Sequence, residues 1–96
     1  MKRYKTVSGY VMRKFLDEYL LIPVNSPEMK KSQLAILNPV GQFLWEQLQD
    51  ERTLDELVTT VCTEFEVDGE TATEDIWEFL EILRSKDCLE EMEEKR

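Results

Sequence analysis

Carboxylates are the only abundant side chains in this sequence that could take part in acid–base chemistry. The 96 residues include 21 Asp and Glu but no His, the residue that most often supplies a base near neutral pH. The adjacent pairs Glu74-Asp75 and Glu90-Glu91 fall at positions predicted to be exposed, where no burial adapts a carboxyl group to proton transfer. The three glycines do not form a phosphate-binding loop. We therefore expect a protein that is not an enzyme and has no cofactor.

The two cysteines, Cys62 and Cys88, do not indicate a metal site. A structural zinc ion needs four ligands, which are usually Cys or His, and this sequence contains only these two candidates. Cys62 falls on the apolar stripe of a predicted helix, where a free cysteine acts as a small hydrophobic side chain. The expected role of Cys62 is structural.

Charge is unevenly distributed along the chain. Residues 1–31 hold seven basic and three acidic side chains, whereas residues 32–96 hold five basic and eighteen acidic ones, for a net charge of −9. The acidic part is most simply interpreted as solvated helix faces. It also disfavours nucleic acid as a partner and leaves a localised basic edge that could face another protein.

Length and hydropathy predict one cytoplasmic domain. A chain of 96 residues fits one domain. The longest apolar run, residues 19–24, is far too short to span a bilayer, and no apolar block follows the basic N-terminus as in a signal peptide. We expect no membrane partner.

Three β-prone runs come first: residues 10–16, 19–24 and 33–37. The polar pair Asp17-Glu18 suits a tight hairpin between the first two runs, and Pro23 is expected to end the second run or to lie at an edge. In the third run the two faces are both apolar. Leu34 and Ile36 share one face, and Ala35 and Leu37 share the other.

Three helices follow the strands. Asn38-Pro39 predicts the first start, residues 53–56 form a capping box that predicts the second, and the third is expected to start near Thr71 or Thr73. The third helix is predicted to carry Ile76, Phe79, Leu80 and Leu83 inward. The fold class is therefore α+β, a three-stranded antiparallel sheet followed by three helices, as in a winged helix-turn-helix. Residues 9–90 form the domain, between a flexible N-terminus (1–8) and a charged tail (91–96).

A helix-turn-helix arrangement raises the possibility of DNA binding. Here the third helix would present Glu74, Glu78 and Glu81, which repel phosphates. Protein recognition is the remaining possibility, because an exposed strand edge can accept an added peptide strand. Composition alone does not decide whether the third run is such an edge or an ordinary buried strand.

The order of the motifs resembles the PqqD-like family, whose members are also called RiPP recognition elements. The resemblance covers residues 8–90 and includes GYVMR at 9–13 and YLLIPV at 19–24. Its most specific part is LAILNPVGQFLW at 34–45, and it continues through TLDEL at 53–57, FEV at 65–67, DIWEFL at 75–80 and Leu83. Four of these residues also have a purely structural interpretation. Asn38 can cap a helix, and Gly41 can allow close helix packing. Trp45 can fill the edge of the core, and Asp75 is expected in the first turn of the third helix, where the helix dipole favours a carboxylate.

The resemblance implies a domain that captures the leader of a ribosomally made precursor peptide. The leader would pair antiparallel to the third strand beside the third helix and be presented to a modifying enzyme, in many systems a radical SAM protein. Lys30, Lys31 and Arg84 would place positive charge at the rim, so an acidic leader with spaced apolar residues is expected. The candidate peptide-binding residues are Lys31, Gln33, Leu34, Ala35, Ile36, Leu37, Ile76, Trp77, Leu80, Leu83 and Arg84.

Two other functions stay open at this point. One is a winged-helix regulator that acts through DNA or a dimer partner, and the other is a structural subunit that stabilises an enzyme and ignores peptide. The expected oligomeric state is a monomer or a weak or domain-swapped dimer, because an exposed edge strand favours exchange between copies.

Overall fold

A computed structural model describes residues 2–7, 9–24 and 35–93. This part of the chain forms three helices and two antiparallel three-stranded sheets, with strand orders β2-β3-β4 and β5-β1-β6. The predicted α+β class is confirmed, with a second sheet that was not expected. In chain order the elements are β1 (Lys2–Thr6), β2 (Tyr10–Phe15), β3 (Glu18–Pro23), β4 (Ala35–Leu37), α1 (Pro39–Gln47), β5 (Arg52–Thr53), α2 (Leu54–Phe65), α3 (Gly69–Ser85) and β6 (Leu89–Glu93).

The sheet β2-β3-β4 is built on the predicted hairpin. Phe15 lies opposite Glu18, so the two-residue turn is Leu16-Asp17, one position earlier than predicted. Leu16 adopts the left-handed region, with φ of 57°, which tight hairpin turns require. β3 ends at Pro23, as expected. The third strand is confirmed at its described positions, 35–37, while the expected loop at 25–32 and positions 33 and 34 lie outside the described residues.

Side-chain caps start the helices. The Asn38 Oδ1 accepts a hydrogen bond from the Gly41 N–H at 2.7 Å, and Thr53 and Glu56 form the complete capping box. The predicted start of the third helix, near Thr71 or Thr73, was wrong. α3 begins at Gly69 because Asp68 caps it, accepting from the Thr71 N–H at 2.8 Å. Asp75 therefore lies in the second turn of α3, beyond the reach of the dipole effect expected for it.

Both chain ends differ from the prediction. Lys2–Thr6 is not a flexible segment but the middle strand of the second sheet, and it pairs with β6 from Lys2 opposite Glu93 to Thr6 opposite Leu89. The predicted charged tail is thus a strand as far as Glu93. Only alternate residues of β1 are buried, Tyr4 and Thr6. A strand with one buried face needs buried side chains only at alternate positions. Because the other positions of β1 are mostly charged, the sequence analysis did not predict this strand.

The core lies between the helices and the two sheets. Leu21, Leu44, Leu57 and Val61 are fully buried with the inward stripe of α3. Gly41 allows the close helix packing expected of it, because a Cβ there would lie 3.4 Å from the Phe79 ring. Trp45 is buried at the core edge. None of the helices in the described ranges is long and apolar enough to cross a membrane.

Candidate functional site

The hydrogen-bonding direction of β3 follows from one contact at the end of the hairpin. The Val24 N–H donates to the Gly9 carbonyl at 2.9 Å, one position beyond the pair formed by Tyr10 and Pro23. Hydrogen-bonded and non-hydrogen-bonded pairs alternate along an antiparallel ladder. The even-numbered residues of β3 therefore direct their peptide groups towards β2, and the odd-numbered ones direct theirs towards β4.

This alternation leaves a free peptide group on β4. Tyr19 and Leu21 lie opposite Leu37 and Ala35, so those two residues of β4 bond to β3. Ile36 lies between them, and its N–H and C=O point away from the sheet. No described strand lies on that side of β4. Ile36 thus offers one donor and one acceptor at an open edge.

The side chains of β4 alternate in the same way. Leu37 is buried and Ala35 packs against the core, whereas the Ile36 side chain is 67% exposed. The strand was predicted to be apolar on both faces. In the described part of the chain, only the face of Ala35 and Leu37 is covered by the core.

A cleft runs between β4 and α3. The space that it encloses is about 60 Å³, and it is lined by Ile36, Leu37, Asn38, Val40, Gly41, Asp75, Glu78, Phe79 and Ile82. The four residues from α3 have the spacing of one helix face, i, i+3, i+4 and i+7. The start of α1 closes one end, where Gly41 keeps the space beside Asn38 and Phe79 free of a side chain.

The cleft combines apolar and acidic groups. Ile82 is 37% exposed and contributes apolar surface, and Phe79, which also lines the cleft, is almost fully buried. The only charged side chains that line the cleft in the described ranges are Asp75 and Glu78. Such a surface can hold an extended chain at the strand edge and receive its side chains one at a time.

Only part of the predicted site lies here. Ile36 and Leu37 line the cleft, and Ala35 belongs to the same strand. Lys31, Gln33 and Leu34 lie outside the described residues. Ile76, Leu80 and Leu83 have no exposed surface, so the expectation that they line the groove does not agree with the structure. They form the core stripe of α3, and the cleft lies on the flank next to it.

Trp77 and Arg84 lie on the other flank of α3. With ~100° between successive helical residues, Trp77 is ~200° around the helix from Asp75. The Trp77 ring makes an edge contact with Tyr4 of β1, with 6.3 Å between ring centroids. Arg84 pairs with Glu81 and with Glu91 of β6. Both residues therefore join α3 to the second sheet rather than to the cleft.

Sequence reasoning missed the α3 residues that do line the cleft, Asp75, Glu78, Phe79 and Ile82. A signal was present in Ile82, an apolar residue that the core stripe does not require. Phe79 and Ile82 are three positions apart, so they share a flank. The sequence analysis assigned Ile76, Leu80 and Leu83 to the groove instead, because they form the more continuous apolar pattern.

The cysteines offer no reactive centre at this cleft. Burial raises the pKa of the Cys88 thiol to about 11, and its Sγ donates to the Leu83 carbonyl at 3.5 Å. Cys62 is half-buried against the core, in keeping with its expected structural role. The described residues contain no group of three or more Cys, Asp or Glu able to hold a metal ion.

Comparison with known proteins gives two matches. Residues 20–89 match the sequence model of a family described as coenzyme PQQ synthesis protein D (PqqD). The chain is also similar to a solved structure described as TbiB1 in complex with the TbiA(beta) leader peptide, with 28% identity and a TM-score of 0.68. That alignment covers 90% of this chain and 94% of the other. No curated protein matches the chain.

Proposed function

We propose that this chain, which belongs to the PqqD family, binds the leader of a ribosomally synthesised precursor peptide by β-strand addition. The domain would then present the rest of that peptide to a modifying enzyme. The observation that carries the proposal is the outward peptide group of Ile36 beside a cleft lined by both apolar and acidic residues. The similar TbiB1 structure, described as a complex with a leader peptide, supports it.

Binding would use the open edge of β4 and the cleft together. A peptide antiparallel to β4 exchanges hydrogen bonds with Ile36, and its alternate side chains point towards α3. An apolar side chain would insert between the edge of β4 and Ile82. Burying such a side chain contributes about 1.5–3 kcal/mol, more than the ~1 kcal/mol of a net hydrogen bond. Affinity would therefore come mainly from the apolar side chain and register from the main chain.

The domain acts in this proposal as a non-catalytic adaptor. Its second partner is a modifying enzyme, for which the family resemblance suggests a radical SAM protein. Because the precursor peptide is made on ribosomes, the encounter takes place in the cytoplasm. The winged-helix regulator gains no support, since the exposed side of α3 carries Glu74, Glu78 and Glu81 and neither comparison describes DNA.

Direct titration tests the proposal. The full chain is mixed with a fluorescent synthetic copy of the leader of a short precursor encoded beside its gene, and anisotropy is measured. We expect saturable one-to-one binding without any enzyme present. Failure to bind leader, together with complex formation with the enzyme, would instead indicate the structural subunit. Tight and steeply salt-dependent binding of duplex DNA would indicate the regulator.

A further inference from the structure

We infer that the modifying enzyme docks on the outer face of the sheet β2-β3-β4, and that a bound leader completes this face as a fourth strand. The inference rests on the proposed function and deepens it by naming the surface that the second partner uses. The enzyme therefore binds the domain that carries a leader more tightly than the empty domain.

The two faces of this sheet follow from its register. Residues directly opposite each other in an antiparallel pair share a face, and successive residues of a strand alternate between faces. The inner face, which includes Leu21 and Leu37, is packed on the core. The outer face carries the remaining described side chains of the three strands: Val11, Arg13, Phe15, Glu18, Leu20, Ile22 and Ile36.

The outer face is mostly apolar and is accessible. Five of its seven side chains are apolar, and Phe15 and Ile36 are 63% and 67% exposed. The half-buried residues Val11, Leu20 and Ile22 do not pack against the core of the described chain. The solvated face of an antiparallel sheet is usually polar, and a contiguous exposed apolar patch marks a site of interaction. This face therefore has the composition of an interface.

The size of the face argues against a second copy of the chain as its occupant. Three strands ~4.8 Å apart and about six residues long have a footprint of about 300 Å², whereas a stable complex buries about 800 Å² on each partner. Two copies would also bring together two chains with a net charge of −9 each, which repel. A partner that uses this face must therefore be held by a further contact.

The modifying enzyme has such a contact. The leader and the segment that the enzyme modifies belong to one precursor peptide. While the leader is bound at β4 and that segment lies in the enzyme, the peptide tethers the two proteins. A tether raises the effective concentration of one protein at the other, so that a small additional interface suffices.

The charges of the outer face specify the chemistry of the enzyme's surface. Arg13 lies on β2 and Glu18 lies at the start of β3, among the apolar side chains of the same face. A complementary surface is apolar and places a carboxylate opposite Arg13 and a basic side chain opposite Glu18.

A bound leader extends the outer face. A strand that adds to β4 lies next to Ile36, and its side chains alternate between the two sides of the sheet. One set points towards α3, and the other set lies on the outer face beside the exposed Ile36 side chain. A fourth strand enlarges the face by about one third. The enzyme thus meets a larger surface on the loaded domain than on the empty one.

Binding of the enzyme to outer-face variants tests the inference. The modifying enzyme encoded beside the gene is immobilised, and association of the full chain is measured by biolayer interferometry without peptide, with the leader and with the full precursor. We expect affinity to rise about tenfold with the leader and further with the precursor. The double variant Phe15→Thr/Leu20→Thr keeps strand-forming residues. It should bind the enzyme about tenfold more weakly, with unchanged leader affinity in anisotropy.

Met92→Thr is the matched control. It replaces a half-buried apolar side chain on the other sheet, on the face opposite to that of the buried Tyr4, and should leave both affinities unchanged. Circular dichroism checks the fold of each variant. If the double variant does not fold, Phe15→Thr alone changes a side chain that is 63% exposed and should still weaken enzyme binding about fivefold.

The outcomes separate this inference from the function on which it rests. If the leader binds but the outer-face variants bind the enzyme as tightly as the unchanged domain does, the inference is wrong and strand addition stands. Equal binding of the enzyme to loaded and empty domains also overturns the inference. A dimer in sedimentation velocity that Phe15→Thr dissociates would assign the face to a second copy instead. If no leader binds to the unchanged domain, both the proposed function and the inference are wrong.

Discussion

At the scale of single residues, Ile36 contributes to the proposed site through its main chain. Its peptide group faces the open edge of β4 beside the cleft, whereas its exposed side chain lies on the sheet face opposite to that of Ala35 and Leu37. Its neighbours Ala35 and Leu37 bond instead to β3. Removing the N–H of residue 35 should therefore lower the stability of the fold, whereas removing the N–H of residue 36 should weaken peptide binding, although the two residues are adjacent.

Proline substitution tests this difference. Ile36→Pro removes an N–H that no described strand uses, so we expect a folded protein with clearly weakened binding of leader peptide. Ala35→Pro removes a bond of the β3–β4 ladder and should lower the free energy of unfolding by about 1–3 kcal/mol. Urea unfolding measures the stability of each variant, and anisotropy measures binding. The control Ile36→Ala keeps the N–H and should retain weakened binding.

At the scale of elements, α3 has three surfaces with different partners. One stripe, Ile76, Leu80 and Leu83, lies in the core; one flank lines the cleft; the other flank carries Trp77 against Tyr4. The sequence analysis assigned the first and third of these surfaces to peptide binding. Substitutions on the two flanks should now have opposite effects on affinity and stability.

Ile82 and Trp77 make that comparison. Ile82→Ala removes exposed apolar surface from the cleft, and we expect about fivefold weaker leader binding with little change in stability. Trp77→Ala removes an aromatic contact between α3 and β1 and should cost about 2 kcal/mol of stability at unchanged affinity. Binding titrations and thermal unfolding of both variants check this. A large loss of affinity in Trp77→Ala would show that the peptide uses the other flank.

The start of α2 makes stability depend on pH. The Thr53 N–H donates to the Glu56 carboxylate at 3.0 Å, and this hydrogen bond, assisted by Arg3 and Arg52, holds the pKa of Glu56 below its ordinary value of 4.5. The folded state therefore favours the ionised form. The resulting stabilisation is present above pH 4.5 and is lost as the pH falls through the lowered pKa.

Glu56→Gln isolates this contribution. The amide oxygen can still accept from Thr53 but does not titrate, so the loss of Tm between about pH 6 and about pH 3 should be smaller than in the unchanged protein. Asp68, whose pKa is lowered by its hydrogen bond from the Thr71 N–H, remains and should keep part of the acid sensitivity. An identical pH profile in the variant would contradict the role of Glu56.

At the scale of the whole molecule, the second sheet holds the two described ends of the chain to the helices. The Thr6 N–H donates to the Leu48 carbonyl at 2.9 Å, and the Val7 N–H donates to the Cys88 carbonyl at 3.1 Å. Tyr4 is only 3% exposed. β1 is thus part of the folded domain, although three of its five residues are charged.

Tyr4→Ala should therefore destabilise the whole domain. Truncation of a buried aromatic side chain costs about 3–5 kcal/mol, which is a large share of the stability of a domain of this size. Chemical denaturation should show this loss, while Lys5→Ala, on the exposed face of the same strand, should be nearly neutral. Equal, small effects of both substitutions would mean that β1 is not anchored.

The sequence alone predicted the structural features that depend on one local signal. Asn38, Thr53 and Glu56 specify helix starts through side-chain hydrogen bonds, and the hairpin followed from two apolar runs with a polar pair between them. The sequence did not predict the features that depend on residues far apart in the chain. β1 forms because β6 lies beside it, and the position of the cleft depends on how α3 is rotated against β4, which the periodicity of α3 alone does not determine.

The pairing of β1 with β6 places the two described ends of the chain side by side. Lys2 lies opposite Glu93, and this sheet contacts the flank of α3 that faces away from the cleft. A polypeptide joined to either end would thus leave the domain on the side remote from the bound leader. The domain could thus be inserted within a larger enzyme, with both described ends on one side and the cleft on the other.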